Sequence, residues 1–150
     1  MRFRSVLDEL GKTGVPMASE AGAAKILVVE DEETIAETLQ KIFAIAGYEC
    51  HTFFSAEKFL DQEDAGWIPD FALLDVILPG MDGLELAFRL QSRYPKTRIT
   101  LFSGHTQTEM ILKEAKKRGH DFHIVAKPIH PDALLELICN ALAGKEEKRV

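Results

Sequence analysis

The sequence predicts an α/β fold in which a doubly wound, five-stranded parallel sheet is covered on both faces by five helices. Two observations lead to this prediction. Short apolar runs recur along the chain, and longer segments with apolar residues at helical spacing lie between them. The first run, residues 26–29, is apolar at every position, which is typical of a parallel strand buried on both faces. Strands that alternate with helices in this way favour a parallel sheet.

Start and stop signals flank several of the predicted helices. Gly47 closes the first helix, whose apolar face begins at Ile35. Ser55 is placed to cap the second helix, and Pro79-Gly80 turns the chain into the third. The predicted strands span residues 26–29, 48–53, 71–74, 99–102 and 122–126. The predicted helices span about residues 32–46, 55–65, 82–94, 106–118 and 131–143.

The composition indicates one soluble domain with a substantial core. The chain has 150 residues, of which 46% are hydrophobic and 28% are charged. Its formal net charge of −6 argues against a surface that binds nucleic acid. No apolar run approaches the ~18 residues of a membrane-spanning helix, so we expect no membrane association. Cys50 and Cys139 lie far apart, as expected of two buried thiols in a reduced, cytoplasmic protein.

The two ends of the chain differ in composition from the region between them. We expect residues 25–144 to form the domain, residues 1–24 to be an N-terminal extension or linker, and residues 145–150 to be a solvated tail. The extension is open to three interpretations. It is a disordered tail, a docking arm, or a segment that precedes a true start at Met17.

Four of the predicted strands are followed by polar residues at the point where each strand ends. These residues are Glu30-Asp31, Asp75, Ser103-Gly104 and Lys127-Pro128. Each of them alone is compatible with an ordinary loop or a helix cap. Because ligands bind beyond the carboxyl ends of parallel strands, their coincidence at one edge predicts a functional site there.

The charges at this edge indicate phosphoryl chemistry assisted by a metal ion. Three carboxylates repel one another at close range, and a bound cation relieves the repulsion. Donors that are all oxygen suit Mg²⁺, which retains waters and favours phosphate as a partner. A carboxylate is also a nucleophile that forms an aspartyl-phosphate. The Lys127 ammonium and the Ser103 hydroxyl are suited to bind phosphoryl oxygens.

Four segments of the chain resemble the receiver domain of response regulators, the flavodoxin-like fold of bacterial chemotaxis regulators. They are Ile-Leu-Val-Val-Glu-Asp-Glu at 26–32, Leu-Leu-Asp-Val-Ile-Leu-Pro-Gly-Met-Asp-Gly at 73–83, Phe-Ser-Gly at 102–104 and Ala-Lys-Pro at 126–128. The resemblance implies the strand order 2-1-3-4-5 and a stand-alone phosphoacceptor in a two-component phosphorelay. Its phosphodonor would be a histidine kinase or a histidine phosphotransfer protein.

The resemblance also implies which residues accept the phosphoryl group and hold the metal ion. Asp75 would be the phosphoacceptor. Asp31 and Asp75 would bind Mg²⁺ directly, and Glu30 would act through a water molecule. The backbone carbonyl of Ile77, two residues after the acceptor, would complete the metal site.

Further positions match the residues that bind the phosphoryl group and respond to it. Ser103, beside Gly104, matches the hydroxyl residue that hydrogen-bonds the phosphoryl group and moves with it, and Lys127 matches the phosphate-binding lysine. The resemblance implies a cis peptide bond before Pro128, and proline lowers the cost of that isomer to about 0.5–1 kcal/mol. Ile124 stands at the switch position, where the family usually has Tyr or Phe, so we do not expect the usual aromatic readout.

Phosphorylation is expected to change the face formed by the fourth helix, the fifth strand and the fifth helix. An unknown downstream protein, or a second copy in a homodimer, would read this change. Ile77 and His105 occupy positions that influence the lifetime of the phosphoryl group in the family. The bulky Ile77 side chain either impedes the water molecule that would hydrolyse the phosphoryl group, or it is an ordinary loop residue.

Three alternative functions stay open from the sequence. The chain is a phosphate sink, or it is a degenerate receiver that acts as a constitutive scaffold. The third alternative is a haloacid-dehalogenase-type phosphatase, an enzyme that also uses an aspartyl nucleophile and Mg²⁺. That family has a second Asp two residues after the nucleophile, where this chain has Ile77. We therefore expect a signalling protein rather than an enzyme.

Overall fold

A computed structural model of the chain describes residues 23–62, 66–104, 108–120 and 122–144. Several expectations from the sequence lie outside these described residues. They concern most of the N-terminal extension, the C-terminal tail, the end of the second helix near Ala65, His105, and the start of the fourth helix at Thr106.

The described residues contain five strands that form one parallel sheet. The strands are β1 (Lys25–Val29), β2 (Glu49–Phe53), β3 (Phe71–Asp75), β4 (Arg98–Ser103) and β5 (His123–Ala126). They are hydrogen-bonded in the order β2-β1-β3-β4-β5, and every neighbouring pair is parallel. The predicted fold class and strand order are therefore confirmed. This order places the topological switch point between β1 and β3.

One helix follows each strand: α1 (Glu33–Ile45), α2 (Ala56–Gln62), α3 (Gly83–Arg93), α4 (Thr108–Lys117) and α5 (Pro131–Leu142). Ser55 caps α2 as expected, since its hydroxyl accepts from the backbone N–H of Lys58 at 3.2 Å. Asp82 caps α3 by accepting from the Glu85 N–H at 2.8 Å. Gly47 follows α1 with a φ of 100°, a conformation that favours glycine. Among the described helices, none combines the length and apolarity needed to cross a bilayer.

Apolar side chains of the strands alternate between two cores, one on each face of the sheet. In β1, Ile26 and Val28 pack on the face that α1 and α5 cover. Leu27 and Val29 pack on the opposite face, where α2, α3 and α4 supply buried residues such as Phe59, Leu86 and Ile111. This two-sided burial explains why successive residues of β1 and β3 are apolar. It also fixes the strands relative to one another, so that their carboxyl ends form a defined edge.

The two cysteines are free thiols at packing positions. Cys50 lies in β2 and is buried, and burial raises the pKa of its thiol to about 12. Cys139 lies in α5 and is partly buried. Cys50 therefore acts as a small apolar residue of the core, as expected, whereas Cys139 is not fully buried, contrary to the prediction of two buried thiols.

Gly83 lets the first turn of α3 pack directly against the backbone at the end of β3. A Cβ atom added at Gly83 would lie 2.0 Å from the carbonyl oxygen of Asp75 and 2.9 Å from the Cα of Val76. The Gly83 N–H also donates to the Val76 carbonyl at 2.9 Å. These contacts hold the start of α3 against Asp75 and therefore help to position the carboxyl end of β3.

We predict that Gly83→Ala lowers the free energy of unfolding by about 3 kcal/mol, because the added methyl group overlaps backbone atoms that cannot move independently. Gly119→Ala is the control. Gly119 has a φ of 78°, but a Cβ there meets no atom of the described residues within 4 Å, so only the cost of that backbone conformation, about 1–2 kcal/mol, applies. Urea unfolding measures both changes. Equal losses in the two variants would contradict a specific role for the close contact at Gly83.

Candidate functional site

The candidate site lies at the carboxyl edge of the sheet, where β1, β3, β4 and β5 end. Asp75 is the last residue of β3, and Ser103 is the last residue of β4. Glu30 and Lys127 directly follow β1 and β5. Because these strands are parallel and paired in register, their ends lie side by side. The structure therefore brings together the polar residues that were identified at the strand ends.

Three carboxylates form a compact acidic cluster at this edge. One carboxylate oxygen each from Glu30, Asp31 and Asp75 lies within 4.8 Å of the other two. Glu30 and Asp75 are buried, whereas Asp31 is exposed to solvent. The cluster can therefore be reached by an ion from solution, although two of its three members lie inside the protein.

Lys127 bridges the two buried acids. Its Nζ lies 2.8 Å from Oδ2 of Asp75 and 3.0 Å from Oε1 of Glu30. Glu30 is 1% exposed and Asp75 is 5% exposed, so an unpaired negative charge on either would be strongly unfavourable. The Lys127 ammonium also lies 5.0 Å from the centre of the Phe102 ring, which attracts a cation. One side chain thus joins the ends of β1, β3 and β5.

These contacts shift the ionisation of Glu30 and Lys127. Burial raises the pKa of Glu30 to about 7, against the opposing effect of hydrogen bonds from the Glu32 N–H and Lys127. The charge of Asp75 adds to this rise. Burial alone would lower the pKa of Lys127, but hydrogen bonds and attraction to Asp75 and Glu30 outweigh it, so the pKa is raised. The negative charge of Glu30 therefore depends on a cation close by.

Hydrogen bonds fix the orientation of the Asp75 carboxylate. Its Oδ1 accepts from the Ile77 N–H at 3.1 Å, and its Oδ2 accepts from Lys127. The Val76 N–H donates to the Phe102 carbonyl at 3.0 Å, which extends the β3–β4 ladder by one residue. The side chain of Ile77 is 56% exposed and does not contribute to the core. Asp75 is thus held by the main chain on one oxygen and by an ammonium on the other.

Glu57 in α2 holds the loop that follows Asp75. Its Oε2 accepts from the Met81 N–H at 2.7 Å, and this hydrogen bond lowers the pKa of Glu57. The carboxylate also lies against Gly80, where an added Cβ would be 2.5 Å from Glu57 Oε2. α2 therefore anchors the loop between β3 and α3, which carries Ile77.

Ser103 connects β4 to the start of α4. Its Oγ lies 2.9 Å from Oγ1 of Thr108, the first residue of α4, and Thr108 Oγ1 donates to the Gly104 carbonyl at 3.3 Å. The Ser103 side chain is fully buried, and its backbone carbonyl accepts from the Lys127 N–H at 2.8 Å. The peptide bond from Lys127 to Pro128 is cis, as the resemblance implied. Ser103 therefore lies between α4 and the segment that carries Lys127.

The expected switch position, Ile124, is partly buried in β5, where it pairs with Leu101. It packs into the core that α2, α3 and α4 cover. Phe122, two residues earlier, is buried and makes ring contacts with Phe88 and His120 at centroid distances of 5.4 Å and 5.3 Å. Phe122 is therefore part of a packed aromatic cluster. It does not take the place of the Tyr or Phe that the family usually has at the position of Ile124.

Three residues that shape the site were not identified from the sequence: Glu57, Gly83 and Thr108. Gly83 lies inside the longest segment that carries the resemblance, which indicates that this position matters. Its contact with the backbone of Asp75 could not be foreseen from the sequence. Glu57 reaches its partner Met81 across 24 positions of the chain, and no local pattern indicates that contact. Thr108 is one of many polar residues at helix starts, and nothing in its spacing distinguishes it.

A comparison with protein families matches residues 26–139 to the response regulator receiver domain. Among curated proteins, the chain is 27% identical over 122 residues to the DNA-binding transcriptional regulator NtrC of Klebsiella pneumoniae, covering 81% of this chain and 25% of NtrC. It is 30% identical over 133 residues to the C4-dicarboxylate transport transcriptional regulatory protein DctD of Rhizobium meliloti, covering 87% of this chain and 27% of DctD. The chain thus spans about a quarter of the length of these curated relatives.

Solved structures of similar proteins share the fold. The beryllofluoride-activated receiver domain of DrrB, a Thermotoga maritima protein, superposes with a TM-score of 0.70 at 29% identity, covering 81% of this chain and 99% of that domain. A CheY-like receiver domain protein from Methanospirillum hungatei superposes with a TM-score of 0.71 at 26% identity, covering 82% of this chain and 96% of the other. The two superpositions cover nearly the whole of the two solved structures and about four fifths of this chain.

We predict that Lys127→Met lowers the free energy of unfolding by about 3 kcal/mol in the absence of divalent cations, because it leaves two buried carboxylates without a counter-charge. Adding Glu30→Gln to this variant should restore part of the loss, since it removes one of the two repelling charges. Lys116→Met, at an exposed position of α4, should change stability by less than about 0.5 kcal/mol. Urea unfolding in EDTA measures all three changes. A Lys127→Met variant as stable as Lys116→Met would contradict the bridging role.

Proposed function

The chain belongs to the response regulator receiver domain family, and from this premise we propose that Asp75 is its phosphoacceptor in two-component signalling. The observation that carries the proposal is the Lys127 ammonium set between the Asp75 and Glu30 carboxylates. Phosphoryl transfer requires positive charge near the oxygens that become negative, more than it requires acid–base chemistry. An ammonium 2.8 Å from an oxygen of the proposed nucleophile supplies such a charge.

In the proposed reaction, a carboxylate oxygen of Asp75 forms a bond to phosphorus while the bond from phosphorus to the donor breaks. With a phosphohistidine donor the leaving group is imidazole, which takes up a proton, and with acetyl phosphate it is acetate. No proton has to leave Asp75, because the nucleophile is a carboxylate. The protein therefore contributes orientation and charge, through the Ile77 N–H and the Lys127 ammonium.

The acidic cluster has the donor chemistry that Mg²⁺ prefers. Its three donors are all carboxylate oxygens, within 4.8 Å of one another, and the exposed Asp31 opens the cluster to solvent. We propose that Asp31 and Asp75 bind the ion directly, that Glu30 binds it through water, and that the Ile77 carbonyl completes the site. When bound, Mg²⁺ neutralises part of the charge on the phosphoryl oxygens.

Lys127 and Ser103 are proposed to bind the phosphoryl group once it is on Asp75. Lys127 Nζ already contacts Asp75 Oδ2, so a short movement brings it to a phosphoryl oxygen. Ser103 ends the strand next to β3 and carries a hydroxyl that is suited to donate to another oxygen. Gly104, which follows Ser103, is proposed to move with it.

A histidine kinase or a histidine phosphotransfer protein is the proposed donor, and the cytoplasm is the proposed location. The proposed output surface is the face of α4, β5 and α5, read by a protein partner or by a second copy of the chain. Met110 in α4 is 72% exposed and Leu112 is 42% exposed, so α4 presents apolar side chains to solvent. Such side chains favour a protein partner for this face.

We predict that incubation with acetyl phosphate and Mg²⁺ adds about 80 Da, the mass of one phosphoryl group. Asp75→Asn should abolish the adduct, because an amide is not a nucleophile toward phosphorus. Asp61→Asn is the matched control, since Asp61 is an exposed aspartate on α2 and should not affect the reaction. EDTA should abolish the adduct by removing the ion. Intact-mass spectrometry measures each sample.

Together with a phosphohistidine donor and a phosphate-release assay, this experiment separates the proposed function from the scaffold and phosphatase alternatives. An adduct that persists in Asp75→Asn would place the phosphoryl group elsewhere and overturn the assignment of Asp75. The absence of an adduct in the parent chain, with acetyl phosphate and with a phosphohistidine donor, would favour a constitutive scaffold. Rapid release of phosphate from added phosphoesters, dependent on Asp75, would favour a phosphatase.

A further inference from the structure

We propose that Thr108 is a positioning residue that holds the Ser103 hydroxyl proton in the unphosphorylated protein, and that phosphorylation of Asp75 breaks this hydrogen bond. The inference rests on the proposed function of Asp75 and extends it to the way the signal leaves the site. Thr108 lies in α4, and the hydrogen bonds described above join its side chain to Ser103 and Gly104 rather than to Asp75, Glu30 or Asp31.

The direction of the hydrogen bond between Ser103 and Thr108 follows from counting protons. Each hydroxyl carries one proton. Thr108 Oγ1 lies 3.3 Å from the Gly104 carbonyl, an oxygen that only accepts, whereas either hydroxyl of the Ser103–Thr108 pair can donate across their 2.9 Å contact. Both hydrogen bonds form at once only if Thr108 donates to Gly104 and accepts from Ser103, so we assign the Ser103 proton to Thr108. In this state the Ser103 hydroxyl is not available to donate to another group.

A phosphoryl group on Asp75 would compete with Thr108 for that proton. Hydrogen bonds to a charged acceptor are about twice as strong as those between neutral groups, so the phosphoryl oxygen should win the competition. Ser103 is fully buried, and its hydroxyl must turn away from Thr108 to reach the phosphoryl group. The strength of the Ser103–Thr108 bond therefore opposes the activated state.

Breaking this bond would loosen the start of α4. Thr108 is the first residue of α4, and its hydroxyl links the helix to Ser103 and Gly104 of β4 and its following loop. Farther along, α4 is held to the core by the buried residues Ile111 and Ala115. The residues of α4 that precede Ile111 are therefore free to shift while the rest of the helix stays packed. This route from site to helix requires no aromatic ring at position 124.

The test compares Thr108→Val, which keeps the shape of the side chain without the hydroxyl, with Thr108→Ser, which keeps the hydroxyl. Beryllofluoride with excess Mg²⁺ serves as the phosphoryl mimic, and its affinity is measured by titration followed through amide NMR signals. Thr108→Val should bind it at least about fivefold more tightly, the factor that corresponds to about 1 kcal/mol for one hydrogen bond. Thr108→Ser should stay within about twofold of the parent chain.

Two further measurements distinguish the proposed role from a general effect on folding. In a Ser103→Ala background, Thr108→Val should not change the affinity, because no proton remains to be competed for. Hydrogen exchange at the amide of Leu112, which donates to the Thr108 carbonyl when the first turn of α4 is formed, should rise in the parent chain when beryllofluoride binds, and should already be raised in free Thr108→Val.

Each result supports or overturns the proposal. If the parent chain binds beryllofluoride and Thr108→Val binds it equally or less tightly, the role of Thr108 is wrong while the function of Asp75 stands. An equal gain for Thr108→Val in the Ser103→Ala background would also overturn it. If the parent chain with Mg²⁺ binds no beryllofluoride, the proposed function and this inference both fail.

Discussion

An ammonium group between two buried carboxylates is the interaction on which this structure depends. Without Lys127, Glu30 and Asp75 would face each other where hydration is largely lost and like charges repel strongly. With Asp31 included, three carboxylates stand against one ammonium, which leaves two negative charges at the edge of the sheet. The proposed Mg²⁺ ion would balance this excess, and its arrival would free Lys127 to meet an incoming phosphoryl group.

The sheet and the helices together position the residues that make this interaction. Parallel strands that are buried on both faces place Glu30, Asp75, Ser103 and Lys127 at one edge, although they are up to 97 positions apart in the chain. The contacts that refine their placement come from the helices. The first turn of α3 packs against the end of β3 at Gly83, and α2 holds the following loop through Glu57. The acidic cluster therefore depends on helix packing as well as on strand register.

The strands and the polar residues at their ends could be predicted from the sequence, because apolar runs and strand termini are local features. The convergence of Glu30, Asp75 and Lys127 followed from the rule that parallel strands end at one edge. The bridging geometry of Lys127 did not follow, since it depends on distances that only the packed sheet sets. Thr108 was not foreseen either, because its role arises from the partner its hydroxyl finds in the fold and not from its residue type.

A crystal structure of the chain with Mg²⁺ and beryllofluoride is the most direct test of the role of Lys127, because it shows where the ammonium group lies when a phosphoryl mimic is bound. We predict beryllium on a carboxylate oxygen of Asp75, with Lys127 Nζ and Ser103 Oγ within hydrogen-bond distance of its fluorine atoms. Beryllofluoride bound to a different carboxylate, or bound to Asp75 while Lys127 stays paired with Glu30 and contacts no fluorine, would contradict it.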